Sequence, residues 1–165
     1  MTRAGVRYID RRAAIRRQLG EIDSIVLLAG TEDDLAVRGY LEQFAVVRLS
    51  GFLEASLGHM INGYLEEHTA SRVLNFGKRQ AKRLPSLNPE NLEQLVASFD
   101  KEWGASLNEF LALDENRQTL ANLIGARHAL AHGDMTHVSG SLLRQYQSVA
   151  EATISHLMDR FLPLP

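Results

Sequence analysis

Apolar residues recur along most of the chain at helical spacing, and no segment shows a convincing strand-like alternation. Proline occurs only at positions 85, 89, 163 and 165, so long helices are favoured over the first 84 residues. The pattern predicts one all-α domain over residues 1–165, with an arginine-rich N-terminal helix within 1–30. It would be an up-and-down bundle of five to six helices. The predicted helices span about 6–29, 32–67, 70–83, 88–111, 114–132 and 141–162.

Small polar residues and glycine mark the predicted ends of these helices. Gly30 is the expected stop of the first helix, and Thr31 with Asp34 resembles a capping box that opens the second. Asn88 precedes a proline and a glutamate, which is a favourable helix start. Asp114 is the expected cap of the fifth helix.

The second predicted helix is the strongest feature of the fold, because apolar side chains surround it almost completely. Phe44, Val47 and Leu53, for example, do not share one narrow face. A soluble helix of this kind is either enclosed by other helices or lies in a subunit interface. Gly51 and Gly58 lie seven residues apart on one side, where they would let another helix approach closely. Alternatively, these glycines only kink a long helix.

The residues that could carry chemistry lie on the fifth predicted helix. Arg127 falls within a helically spaced apolar stripe, where an aliphatic residue is expected. An arginine keeps its charge in a protein, so Arg127 needs an anion nearby, either a carboxylate or a phosphate. His128 and His132 are four residues apart and therefore lie one above the other on the flank of that stripe.

One arginine and two histidines on one helix suit the cleavage of RNA without a metal. That reaction needs a base for the 2′-hydroxyl, an acid for the departing 5′-oxygen and a cation for the pentacoordinate phosphorane. Histidine titrates near neutrality and can act as base or acid, and arginine offers a planar fork for phosphate oxygens. One such helix supplies only one edge of a site, whereas two copies facing across a two-fold axis supply a cleft.

The charge distribution narrows the partners that the chain can bind. The chain carries 18 Lys and Arg against 20 Asp and Glu, for a formal net charge of −2, so local clusters must meet any RNA. The first 20 residues hold six arginines and one acidic residue, and a second basic patch spans 78–83. These patches could guide an RNA backbone, or they could be solvated helix faces. The RNA-binding candidates are Arg11, Arg12, Lys78 and Arg79.

The absence of cysteine excludes disulfides, thiolate catalysis and cysteine zinc sites. No apolar run approaches the 18 residues of a membrane-spanning helix, and the arginine-rich N-terminus lacks the apolar core of a signal peptide. We therefore expect a cytoplasmic protein without membrane contact.

The stretch from Arg127 to His132 resembles the R-x4-6-H motif of the HEPN superfamily, in which a polar residue usually follows the arginine, as His128 does here. The sequence Gly-Phe-Leu-Glu-Ala around Glu54 is similar to the acidic segment on the long second helix of the RiboL-PSP and MAE-type branches. The resemblance covers about 40–162, and only these two motifs are specific. It implies a HEPN-like α-helical bundle that dimerises with its motifs facing each other.

The resemblance also implies a metal-independent endoribonuclease without a cofactor, often found in toxin–antitoxin, phage-defence and other conflict systems. Arg127 would then bind the phosphate, His132 would be the catalytic histidine, His128 a polar helper and Glu54 the acid that orients Arg127. RNA and an antitoxin or sensor protein would be the partners. Asp134 stands where some family toxins carry a tyrosine that a partner enzyme modifies, so we do not predict that form of control.

Other interpretations of the same residues stay open at the sequence level. Arg127 could be a structural arginine paired with Glu54 in the core or in a dimer seam. His128 and His132 could ligate a metal together with residues of the following loop, although the glutamate of the helical zinc-protease motif is missing. The alternative function is a noncatalytic helical module that binds a nucleotide, an RNA or a protein.

Overall fold

A computed structural model describes residues 3–81, 84–134 and 137–164, with side chains from residue 8 onward. These residues are helical apart from short turns and loops, which confirms the all-α prediction. They form seven helices, so the predicted number of five to six is wrong. The helices are α1 (Arg3–Thr31), α2 (Leu35–His68), α3 (Ser71–Ala81), α4 (Pro89–Phe99), α5 (Lys101–Ala112), α6 (Asn116–Ala131) and α7 (Gly140–Phe161).

The additional helix results from a break at Asp100, inside the region predicted as one helix. Asp100 has an extended backbone, with φ −155° and ψ 128°, and its carboxylate accepts hydrogen bonds from the amides of Glu102 and Trp103. Asp100 therefore ends α4 and caps α5 at the same time. The two helices then pack so closely that a Cβ placed on Gly104 would lie 2.6 Å from the Cβ of Ala97.

The helix ends confirm one predicted cap and correct three other predictions. Asn88 caps α4 as predicted. The predicted stop at Gly30 is wrong, because α1 continues to Thr31, whose hydroxyl bonds back to carbonyls of its own helix. Asp34 caps α2 by itself, so the predicted capping box is also wrong. Asp114 does not cap α6, because its left-handed backbone (φ 48°) belongs to the turn before that helix.

The long helices α1, α2 and α7 form the centre of the bundle. α1 and α2 are antiparallel, since Arg11 contacts Glu66 near one end of the pair and Glu21 contacts Arg48 towards the other. α7 is also antiparallel to α1, so α2 and α7 run in the same direction. The core between them contains the largest fully buried side chains, among them Ile15, Ile22, Leu49, Leu53, Leu57, Met60, Leu143 and Phe161.

α3 lies at the edge of the bundle and buries none of its residues. It rests on α2 through two contacts: Gly77 packs against Leu65, and the Lys78 ammonium lies 2.7 Å from the Glu66 carboxylate. The third helix was predicted to continue to residue 83; α3 ends at Ala81, and residues 82 and 83 lie outside the described residues.

α2 is long and apolar enough to cross a membrane when only length and composition are considered. Its most apolar 18-residue window is, however, 56% buried inside the structure. The buried residues of this helix face α1, α6 and α7, and they place it in the core of the bundle.

Candidate functional site

A cleft of about 460 Å³ opens between α2, α6 and the segment that joins α3 to α4. We call it the α2–α6 cleft. Its polar lining comes from Ser50 and Glu54 on α2, from Arg127 and His128 on α6, and from Ser86 in the connecting segment. The apolar lining residues are Ala55, Ala81, Leu84, Pro85, Leu87 and Ile124. Three of the four predicted catalytic residues therefore share one cleft.

Local packing explains why these side chains meet. Leu120 and Leu123 are fully buried on α6, and they fix the helix so that its next turn presents Arg127 to the cleft. Ser50 and Glu54 lie one turn apart on α2, so both reach the same opening. In the connecting segment Leu87 is 2% exposed and anchors the backbone beside the cleft.

Arg127 is half-buried in this cleft, and its guanidinium has no hydrogen bond or ion pair with any residue that the structure describes. Glu54 lines the same cleft, but the predicted direct pairing of its carboxylate with Arg127 is not formed within 4.0 Å. Glu54 is exposed, and an exposed carboxylate gains little from an ion pair because it stays hydrated. The cleft thus holds a permanent cation whose charge is not neutralised by a close carboxylate.

The two histidines of the motif occupy different places. His128 lines the cleft, and its Nε2 lies 3.4 Å from the Ser86 hydroxyl. His132 follows the last residue of α6, and its side chain is exposed and does not contribute to the cleft lining. Gly133, with φ 85°, turns the chain away directly after it. One copy of the protein therefore brings His128, but not His132, into the cleft with Arg127.

Ser50 is a cleft residue that was missed from the sequence. Its side chain is 1% exposed, and its hydroxyl has no hydrogen-bond partner within the part of the chain that the structure describes. Buried hydroxyls are usually hydrogen-bonded, so the Ser50 hydroxyl is available to a polar group that enters the cleft. A signal was available in the sequence, since Ser50 lies one helical turn before Glu54 and therefore on the same side of α2.

Two of the predicted RNA-binding residues are held by one carboxylate. Arg11 and Lys78 each lie 2.7 Å from an oxygen of Glu66, so α1, α2 and α3 are joined at this point. Burial alone would raise the pKa of Glu66, but hydrogen bonds from Lys78 and Arg11 outweigh it and hold that pKa below its usual value. An RNA phosphate would have to compete with Glu66 for both cations.

The other two predicted RNA-binding residues differ sharply in exposure. Arg12 is 8% exposed, and its guanidinium donates to the Leu162 carbonyl at 2.8 Å and to the Asp159 carboxylate at 2.6 Å. A guanidinium that makes these contacts cannot bind a phosphate without breaking them. Arg79 is exposed on α3, two residues before the cleft-lining Ala81.

Within residues 3–81, 84–134 and 137–164, no three His, Asp or Glu side chains are grouped as a metal site requires. No family model, curated protein or solved structure matches this chain. The resemblance to HEPN proteins therefore rests on the two sequence motifs.

Proposed function

We propose that this protein is a metal-independent endoribonuclease of the HEPN type that works as a homodimer, in a toxin or defence role. The observation that carries the proposal is the convergence of Arg127, His128 and Glu54, taken from two separate motifs, in one cleft with an unneutralised cation. A phosphodiester can neutralise this guanidinium, because its two free oxygens match the planar fork of an arginine.

In the proposed reaction the 2′-oxygen of a ribose attacks the adjacent phosphorus, and the 5′-oxygen leaves. A histidine of the motif removes the 2′-hydroxyl proton, and a second imidazole protonates the leaving oxygen. Arg127 stabilises the added negative charge of the phosphorane. The products carry a 2′,3′-cyclic phosphate and a free 5′-hydroxyl.

The dimer is part of the proposal because one copy offers an incomplete set of groups. His132 lies outside the cleft of its own chain. Two copies with their motifs facing each other would bring two Arg127 and two His132 side chains to one opening, as the resemblance implies. Arg79, exposed beside the cleft, would contact the RNA backbone.

Cleavage of a mixed single-stranded and structured RNA pool in EDTA tests the proposal. We expect wild type to cleave, with cyclic phosphate at the new 3′ ends. Arg127→Ala should reduce the rate by about 10²–10³-fold, and His132→Ala by about 10²–10⁴-fold. Arg144→Ala, which removes an exposed arginine of α7, is the matched control and should leave the rate unchanged.

Two outcomes would contradict the nuclease assignment. Cleavage that persists in a clean Arg127→Ala preparation would show that the activity comes from elsewhere. RNA binding without cleavage, lost in Arg127→Ala but retained in His132→Ala, would establish the noncatalytic nucleotide- or RNA-binding module. The position of His132 outside the cleft favours that second function.

A further inference from the structure

α2 presents an exposed apolar stripe to solvent. Val37, Tyr40, Phe44 and Val47 follow each other at spacings of three and four residues, and they are 43%, 68%, 51% and 45% exposed. Together they form one contiguous and mostly apolar patch on a single helix face, and such a patch often marks an interaction surface. These residues are the solvent-facing part of the apolar side chains that surround α2 in the sequence pattern.

The same stripe continues towards the C-terminus of α2 with small residues. Gly51 and Gly58 occupy the next positions of the stripe, and Glu54 lies between them at its edge, on the side of the α2–α6 cleft that its side chain lines. A Cβ placed on either glycine would have no heavy atom within 4 Å, so neither glycine is required by packing inside this copy. The stripe is therefore bulky in its first half and flat in its second half.

Two such stripes fit each other when they run in opposite directions. A two-fold axis between the two α2 helices, perpendicular to them and level with residue 49, places Tyr40 opposite Gly58 and Val47 opposite Gly51. Large side chains then face bare backbone, which fills space as protein interiors require. In a parallel arrangement aromatic residues would face aromatic residues, and glycines would face glycines across a gap.

A groove beside the stripe adds a receptor for one of its side chains. The groove lies between α1 and α2, encloses about 460 Å³, and is lined by Gln18, Glu21, Ile22, Val47, Arg48, Gly51, Phe52 and Ala55. On a wheel of 100° per residue, Phe44 lies nearer to Arg48 than to Ser50, so it is on the groove side of the stripe. With a two-fold axis perpendicular to α2, the groove side of one stripe faces the groove side of the other stripe.

We propose that a second copy of this chain covers the stripe, antiparallel and centred near residue 49, so that each copy inserts Phe44 into the α1–α2 groove of the other. The consequence of this contact for catalysis rests on the proposed function. Both α2–α6 clefts open on the side of the α2 pair that faces away from the two grooves, and the two Glu54 residues are offset by about 15 Å along the helices.

Analytical ultracentrifugation of the full chain, without RNA, tests the contact. We expect a wild-type dimer, and Gly51→Leu should raise its dissociation constant by about 10- to 100-fold, because the new side chain overpacks the interface. Gly39→Leu is the matched control, since Gly39 lies on the same helix but away from the stripe, and a Cβ there also meets nothing within 4 Å. Circular dichroism checks that both variants keep the helical fold.

A second pair of variants tests the role of Phe44. Phe44→Ala should weaken the dimer, whereas Phe76→Ala should not, although Phe76 on α3 is equally exposed at 57%. A monomeric wild type at high concentration, or a dimer that Gly51→Leu leaves intact, would overturn the proposal.

Cross-linking tests the direction of packing, and the chain has no cysteine to interfere. Differently tagged Tyr40→Cys and Gly58→Cys copies are mixed and treated with a short thiol cross-linker. Antiparallel packing predicts links only between the two different variants, because identical cysteines would lie about 27 Å apart along the helices. Links only between identical variants would show a parallel pair and refute the register. A dimer with this register and no nuclease activity would contradict the proposed function alone.

Discussion

Replacing Arg12 with alanine should destabilise the bundle, because this residue joins α1 to the end of α7. Its guanidinium donates to the carbonyl of Leu162 at 2.8 Å, to that of Met158 at 3.4 Å and to the carboxylate of Asp159 at 2.6 Å. Leu162 is fully buried, so water cannot easily replace the lost donor. We expect the free energy of unfolding to fall in Arg12→Ala.

The size of the effect follows from the burial of each partner. A hydrogen bond from a charged donor contributes about 1.5–3 kcal/mol, and the shorter carbonyl contact should account for most of the loss. The Asp159 side chain is 71% exposed, so its ion pair adds no more than about 1 kcal/mol. A total of about 3 kcal/mol corresponds to a drop of about 6–12 °C in the melting temperature for a chain of this size.

Thermal unfolding followed by circular dichroism measures this drop. Arg17→Ala is the control, because Arg17 is exposed on the same helix and should change the stability by less than about 0.5 kcal/mol. Arg12→Lys should fall between the two, since a single ammonium cannot replace the branched guanidinium at all its contacts. If Arg12→Ala melts within about 1 °C of Arg17→Ala, the structural role assigned to Arg12 is refuted.

Two further stability predictions concern other parts of the bundle. Gly104→Ala should lower the free energy of unfolding by about 1–3 kcal/mol, because the new Cβ would meet Ala97 between α4 and α5. Gly125→Ala is the control and should be neutral or stabilising, because a Cβ there meets nothing within 4 Å. Equal melting temperatures of the two variants would contradict this prediction. Burial, and then the charge of Arg160, lower the pKa of His156 below its usual value of 6.5. The unfolded chain therefore binds this proton more readily, and stability should fall as the pH drops below about 6.5. His156→Gln should flatten this dependence in unfolding curves taken from pH 8 to 5, and an unchanged slope would exclude His156 as the cause.

The fold class could be predicted because local signals decide it. Helical spacing and the position of the prolines fix where most helices lie. The break at Asp100 could not be seen in this way, because the apolar spacing continues across it and an aspartate can also occur inside a helix. The contact of Gly104 with Ala97, which needs the two helices to fold back on each other, accompanies that break.

The candidate site could be predicted in part. Arg127, His128 and Glu54 meet in one cleft, and their two motifs were visible in the sequence. The place of His132 depends on where α6 ends relative to the cleft, which spacing alone does not give. Arg12 belongs to a run of arginines that resembles a solvated face, and its partners lie about 150 residues further along the chain, so only the tertiary structure distinguishes it from Arg16 and Arg17.

The weak attachment of α3 has a consequence for access to the cleft. No residue of α3 is buried, so detaching this helix from α2 exposes little apolar surface and requires less free energy than unfolding the bundle. Its last residue, Ala81, forms part of the cleft wall. Amide hydrogens of α3 should therefore exchange with solvent through local opening, whereas those of α2 and α7 should exchange only through global unfolding. Local opening of α3 would therefore displace one wall of the α2–α6 cleft, while the core that positions Arg127 remains intact.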